Sequence, residues 1–310
     1  MTDLSITHRD ASLDDVARAA LAADGLELRR IDTGDADVFA GWIQSVARGF
    51  MDGERTEAQI TAAFERSARR RLLGVYDPSG PEGDRPVATF ASWISELSVP
   101  GGGGLPSVAV SAVTVAPTHR RRGVLRAMME GELRRADALG IPIAILTVSE
   151  STIYGRFGFA AAAMSGDVTF DVPRARWSGP RPDGRVDFIS RERFREIAPA
   201  IHDRVRLATP GEIDMPDGHW DRFAGTGADA EHPERLRAVR YADATASTGA
   251  RRSSPTARTT TISRDRRCAC IASSPRPPTP TRDCGDSSSS STSWASCPPR
   301  SWRWTSRCCG

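Results

Sequence analysis

Apolar positions recur with two different periods through the first 245 residues, and each switch of period marks a new element. Val38, Phe39, Trp42, Ile43, Val46 and Phe50 fall three and four apart, which predicts one apolar helix face. Ile60, Phe64 and Ala68 repeat that spacing behind Thr56, a suitable N-cap. Residues 72–76 and 87–97 read as strands. The glycine-rich segment 100–106 precedes a strand and carries no charge, so it reads as a flexible hairpin loop rather than a phosphate cradle. Val108, Val110, Val113 and Val115 form a β-branched strand closed by Ala116-Pro117-Thr118. Leu125, Met129, Leu133 and Ala136 then predict a helix ending at Gly140, with Pro142 beyond it. Farther on, residues 168–172 and 185–189 read as strands, and 192–207 as a helix perturbed by Pro199.

The periodicity stops near residue 245. Residues 249–310 hold all six cysteines, long Ser, Thr, Pro and Arg runs, and no Leu, Val, Met, Phe or Tyr. With two isoleucines and three tryptophans to bury, such a segment does not recover a backbone entropy of roughly 1–2 kcal/mol per residue, so disorder is expected. Its cysteine spacings miss the usual zinc pairs and no histidine completes a site, so no metal is expected. So abrupt a change is what GC-rich DNA read out of frame produces, and a frame change between residues 243 and 249 is the reading adopted.

Charge follows the same division. The chain has no Lys and no Asn, and Arg supplies all 42 basic residues, a mark of codon bias before function. Residues 249–310 hold 11 of those Arg and 3 of the 39 acidic residues, which leaves the preceding body mildly acidic. That body suits a cationic small molecule better than nucleic acid. No stretch approaches the roughly 18 apolar residues of a membrane span. The first residues lack a secretory signal pattern, so a cytoplasmic location is expected.

Candidate chemistry concentrates between residues 107 and 159. A strand leads through Arg120-Arg121-Arg122-Gly123 into a helix, whose first amides lack internal acceptors and whose dipole favours an anion. Gly123 lets a phosphate approach the backbone, and guanidinium forks suit its oxygens. Neither Gly-x-Gly-x-x-Gly nor Gly-Lys-Ser/Thr occurs there, which disfavours Rossmann and P-loop sites. His119 beside the turn reads as an exposed side chain.

Arg120-x-x-Gly123 resembles the pyrophosphate turn of the GNAT N-acetyltransferases. The run VTVAPTHRRRG, Leu125, and the later IYGRFGF are similar to the Eis (enhanced intracellular survival) branch, over roughly residues 1–245. The resemblance implies an α/β fold of the α+β mixed-sheet kind: a GNAT domain at 1–165, a partial second GNAT-like region at 166–248, and the tail at 249–310. It implies acetyl-CoA as co-substrate. Val113, Thr114 and Val115 would pair with its pantetheine arm; Arg121, Arg122, Gly123, Val124, Leu125 and Arg126 would hold its pyrophosphate; Ser149 and Glu150 would end the next strand. Tyr154 would be the general acid to the CoA thiolate, with Phe157 and Phe159 as packing.

The same resemblance implies an aminoglycoside or other polyamine acceptor and a homohexamer. Trp42, Asp52 and Glu54 border the acceptor side in such folds, although packing for Trp42 and solvation for the carboxylates are the plainer readings. In that family a C-terminal carboxylate serves as base for the acceptor amine, and Gly310 is not assumed to replace it. A folded acetyl-CoA-binding chain without turnover is therefore the alternative, ahead of an Arg-rich nucleic-acid module.

Overall fold

The computed structural model describes residues 2–147, 151–162, 166–170, 173–174, 176–179, 184–242, 258–263, 269–271 and 302–306. Its described residues fall into two compact units. One is made of Met1–Met164 with Arg206–Glu231, the other of Ser165–Val205 with His232–Arg307.

The first unit is built on a five-stranded sheet in the order β1-β2-β3-β4-β5. Its strands are β1 Glu27–Arg30, β2 Arg71–Tyr76, β3 Pro86–Val99, β4 Gly103–Val115 and β5 Ile143–Leu146. Neighbours are antiparallel except β4 and β5, which run parallel because helix α5, Val124–Ala138, carries the chain between them. Alternation along the strands splits the core in two. Leu73, Val75, Phe90, Ile94, Val108 and Val110 face one side and pack with Met128 and Met129 of α5. Leu72, Tyr76 and Ala91 face the other, packing with Phe39, Trp42 and Val46 of α3, Ala36–Gly49. Helix α4, Glu57–Ser67, lies on that second side and starts with the Thr56–Gln59 capping box, so the hydroxyl singled out in the sequence is an N-cap.

The glycine-rich hairpin differs from the sequence expectation. Its turn is confined to residues 100–102, where Gly101 and Gly102 adopt positive φ of 96° and 81°. Gly103 and Gly104 already belong to β4, paired with Val99 and Ser98. Beyond Ser92 the second edge of β3 is taken up by a returning segment: Leu97 bridges Ile213, Ser98 N–H donates to the Glu212 carbonyl at 2.8 Å, and Gly211 N–H donates to the Ser98 carbonyl at 2.8 Å. That return brings helix α7, Asp217–Ala224, into the first unit.

Two further helices precede β1: α1, Thr2–Asp10, and α2, Asp15–Ala23, which is capped by the Asp14 carboxylate on Ala17 N–H at 2.8 Å. They dock through buried charge. Arg71, fully buried, donates Nε to both oxygens of Glu132 on α5 at 3.0 Å, Nη1 to the carbonyls of Arg9 and Ala11, and Nη2 to that of Ser12. Ser92 Oγ donates to Glu132 at 3.3 Å, and buried His8 meets Ser92 at 2.9 Å. One ion pair with its hydrogen bonds thus fixes α1, the α1–α2 loop, the sheet and α5 together.

In the second unit β7, Arg185–Ile189, and β8, Leu236–Ala242, join β9, Arg258–Ser263, and β10, Ala269–Ile271, in the order β10-β9-β8-β7. β6, Gly166–Phe170, pairs with β11, Trp302–Ser306. Helix α6, Arg191–Arg206, continues through Pro199 and buries Phe194, Ala198 and Ile201 along one stripe. The described residues of 249–310 are the strands β9, β10 and β11.

Candidate functional site

β4 and β5 separate partway along. Their parallel pairing runs from Ser107↔Ile143 to Val110↔Leu146, where β5 ends while β4 continues to Val115. A β-bulge lies just past this point: Thr89 opposes Thr114 and Ala91 opposes Ser111, so Ala112 and Val113 together face Phe90. Ala112 takes φ of 51°, unusual for a residue with a Cβ, and its carbonyl accepts from Thr89 Oγ1 at 2.8 Å. With its one proton committed there, Thr89 accepts from Thr114 Oγ1 at 2.8 Å. Among the described residues, Thr114 and Val115 therefore have partners in β3, Val113 lies in the bulge facing Phe90, and none of the three is paired on the β5 side.

Helix α3 ends against the bulge. A Cβ at Gly49 would fall within 2.5 Å of Thr114 Oγ1, so only glycine permits this approach. The loop that follows exposes Phe50, Met51, Asp52 and Glu54 and is held by Gln44, which bonds both the N–H and the carbonyl of Arg55. Asp52 pairs with Arg55 at 2.6 Å. Trp42 is a core residue, 2% exposed, with Nε1 donating to the Leu73 carbonyl.

Downstream of Val115 the chain makes a compound turn. Arg121 and Gly123 both adopt left-handed φ, 64° and 74°, and Gly123 is the N-cap of α5 with no side chain bonded to the first amides. Two left-handed residues beside an uncapped helix start form a concave nest of N–H groups suited to an anion. Arg121 is exposed; Arg122 donates to the Asp24 carbonyl at 2.8 Å, Arg120 to the Val115 carbonyl at 3.3 Å, and Arg126 reaches Glu130 at 3.5 Å. Val124 is buried and Leu125 half-buried, so these two contribute backbone and packing. A cleft of about 250 Å³ between α2 and α5 opens beside Gly123 and Arg126.

His119 is not a free surface residue. It is half-buried, with Nε2 3.0 Å from Asp77 and Nδ1 2.8 Å from Thr118 Oγ1, and these bonds hold the turn to the β2–β3 loop. Partnership with His119 and Ser79 holds the Asp77 carboxyl well below the usual carboxylate range. Tyr154 is half-buried and, like Val113, Val115, Leu146, Phe157 and Phe159, packs against the α5-side core. Its ring meets Phe159 edge-on at 6.1 Å. Ser149 and Glu150 lie outside the described residues.

Residues 30–162 match the acetyltransferase (GNAT) domain family, and the chain is 37% identical over 175 residues to the N-acetyltransferase Eis of Mycobacterium bovis. Residues 30–162 thus carry a GNAT-type acetyltransferase domain, similar to that of the Eis proteins. The Eis match covers 52% of this chain and 43% of that protein. An uncharacterized N-acetyltransferase of Streptomyces avermitilis is 37% identical over 207 residues, 65% of this chain and 48% of its own. The chain spans about half the length of the curated relatives it matches. The crystal structure of Eis1 from Mycobacterium abscessus shares the fold, with a TM-score of 0.57 at 23% identity over 80% of this chain and 59% of that one.

The GNAT domain depends on residues that the sequence did not single out. Thr89 and Gly49 shape the bulge, and nothing local distinguishes them from any strand threonine or helix-end glycine. Glu132 interrupts the apolar face of α5, a signal of a buried partner that Arg71 supplies.

Proposed function

We propose that this chain transfers the acetyl group of acetyl-CoA to an amine of an aminoglycoside or another polycationic small molecule. One continuous surface supports the reading: the open β4 edge at Val113, Thr114 and Val115 runs into the left-handed turn at Arg121 and Gly123. A strand edge offers its N–H and C=O groups to the amides of a pantetheine arm. The uncapped amides of α5 and the exposed Arg121 then suit the diphosphate.

In the transfer the neutral acceptor amine attacks the thioester carbonyl carbon, the C–S bond breaks, the thiolate takes a proton from the Tyr154 hydroxyl, and the proton lost by the amine nitrogen returns through solvent to the Tyr154 phenolate. A phenol of reference pKa about 10 is protonated at neutral pH and can donate to a thiolate whose acid titrates near 8.5. The mildly acidic body and the exposed Asp52 and Glu54 favour a cationic acceptor. Assembly as a homohexamer belongs to the same reading and is checked by light scattering.

The test is release of CoA from acetyl-CoA in the presence of aminoglycosides. Saturable release is expected, and Tyr154→Phe should slow it by about 10²- to 10⁴-fold while leaving acetyl-CoA affinity unchanged. Binding of acetyl-CoA without release to any amine would favour the second reading, a folded cofactor-binding protein without turnover. Absence of acetyl-CoA binding would remove both.

A further inference from the structure

A second concentration of positive charge lies in the first unit, on the sheet face that carries α3 and α4. Arg70 closes the turn between α4 and β2 and lays its guanidinium over the Trp93 ring, 4.5 Å from Cζ to the ring centroid. Among the described residues it has no carboxylate partner. Helix α7 rests directly on the end of α4, where a Cβ at Gly218 would overlap the Arg66 side chain; it carries His219 and Arg222 three residues apart on one face, and His219 lies within reach of the charges of Arg70, Arg222 and Arg66. Neither His219 nor Arg222 has an ion pair among the described residues. Asp229 is committed elsewhere, in a two-pronged pair with Arg66 at 2.8 and 3.0 Å.

Two groups at this place are shifted, each first by burial. Burial, and then the charge of Arg66, brings Arg70 down to about 10, with no acidic group acting the other way. Burial followed by Arg70, Arg222 and Arg66 brings His219 down to about 4. A surface arginine without a carboxylate needs no explanation, because water solvates it. A largely buried guanidinium over a tryptophan and near the Arg66 charge is different, since its desolvation is offset chiefly by the ring.

Stacking uses the face of the guanidinium and leaves its in-plane N–H fork available, the geometry that suits an oxyanion. Trp93 Nε1 is itself buried without a hydrogen-bond partner among the described residues. We propose that Arg70, His219 and Arg222, floored by Trp93, form a binding site for a phosphate or sulfate group, separate from the turn at Arg121 and Gly123. The site is independent of acetyl transfer, and its ligand is either the free inorganic ion or the same group carried on a small molecule.

Calorimetric titration of the full chain tests this, using inorganic phosphate, then phenyl phosphate, each against chloride at matched ionic strength. Saturable heat with phosphate, absent with chloride, is expected. Arg70→Gln and, separately, the more exposed Arg222→Gln should each weaken it at least tenfold, while Arg121→Gln leaves it intact. Tighter binding of phenyl phosphate than of phosphate would assign the group to a larger molecule; equal or weaker binding would assign the free ion. The proposal is overturned by an equal response to chloride, by no saturable heat with either phosphate, by indifference to both Arg70→Gln and Arg222→Gln, or by loss of binding in Arg121→Gln alone.

Discussion

Arg70 and Arg71 are consecutive in sequence and face opposite sides of the same sheet. On the α5 side, Arg71 is enclosed and answered by the Glu132 carboxylate and the backbone carbonyls of Arg9, Ala11 and Ser12, with every nitrogen bonded. On the α4 side, Arg70 has an aromatic ring beneath it and the charge of Arg66 nearby, with no carboxylate partner among the described residues. In an arginine-rich chain the residue type carries little information; the partners do. A buried guanidinium with a carboxylate partner and each nitrogen bonded holds the fold together, whereas one left with no counter-charge is available to a ligand. Arg121 at the start of α5 belongs to the second kind, exposed and without an ion pair among the described residues.

The strongest way to break this comparison is to remove the partner that makes Arg71 structural. Glu132→Ala leaves a buried guanidinium uncompensated and should cost about 3–5 kcal/mol, read from urea unfolding midpoints. A loss below 1 kcal/mol would mean that the pair is not the clamp described above.

Acid should separate the two sides next. His8 is buried in the Arg71 network with its value brought down to about 4, first by burial and then by Arg71. The unfolded chain therefore takes up the proton first: stability is full above about pH 6.5 and falls as pH drops toward 4, by on the order of 3 kcal/mol from His8 alone. His219 contributes in the same direction. Glu132, whose carboxyl burial raises, acts oppositely nearer its own range, so the fall is best read between pH 6.5 and 5. Unfolding midpoints should drop over that interval, His8→Gln should flatten the slope, and added phosphate should flatten only the His219 share.

Smaller effects sharpen the picture. Gly49→Ala drives a methyl group into Thr114 at the bulge and should cost about 1–3 kcal/mol, with weaker acetyl-CoA binding as a second readout. Arg70→Met, in contrast to Glu132→Ala, should change stability by no more than about 1 kcal/mol, because it removes a charge that the fold itself does not pair.

Much of the first unit was legible. The valines of β4, the periodicity of α5 and the Thr56 cap each announce themselves locally, because alternation, three-to-four spacing and capping are short-range signals. The resemblance carried the GNAT fold from the same stretch. Less legible were features set by distant partners. The bulge at Ala112 depends on Thr89, 23 residues away, and the balance at Arg71 on Glu132, 61 residues away. His119 read as exposed because Asp77 is remote in sequence. The return of residues 209–214 to the edge of β3 is a matter of backbone pairing, to which side-chain pattern contributes little.

The central claim, that the open strand edge and the left-handed turn together hold acetyl-CoA, is tested most directly by calorimetric titration of acetyl-CoA into the full chain and its Arg121→Gln variant. The predicted result is one-to-one binding to the unmodified chain, weakened about tenfold or more in the variant by loss of a charge-assisted contact to the diphosphate, with the unfolding midpoint unchanged. No binding to the unmodified chain, or equal binding to both, would contradict the account.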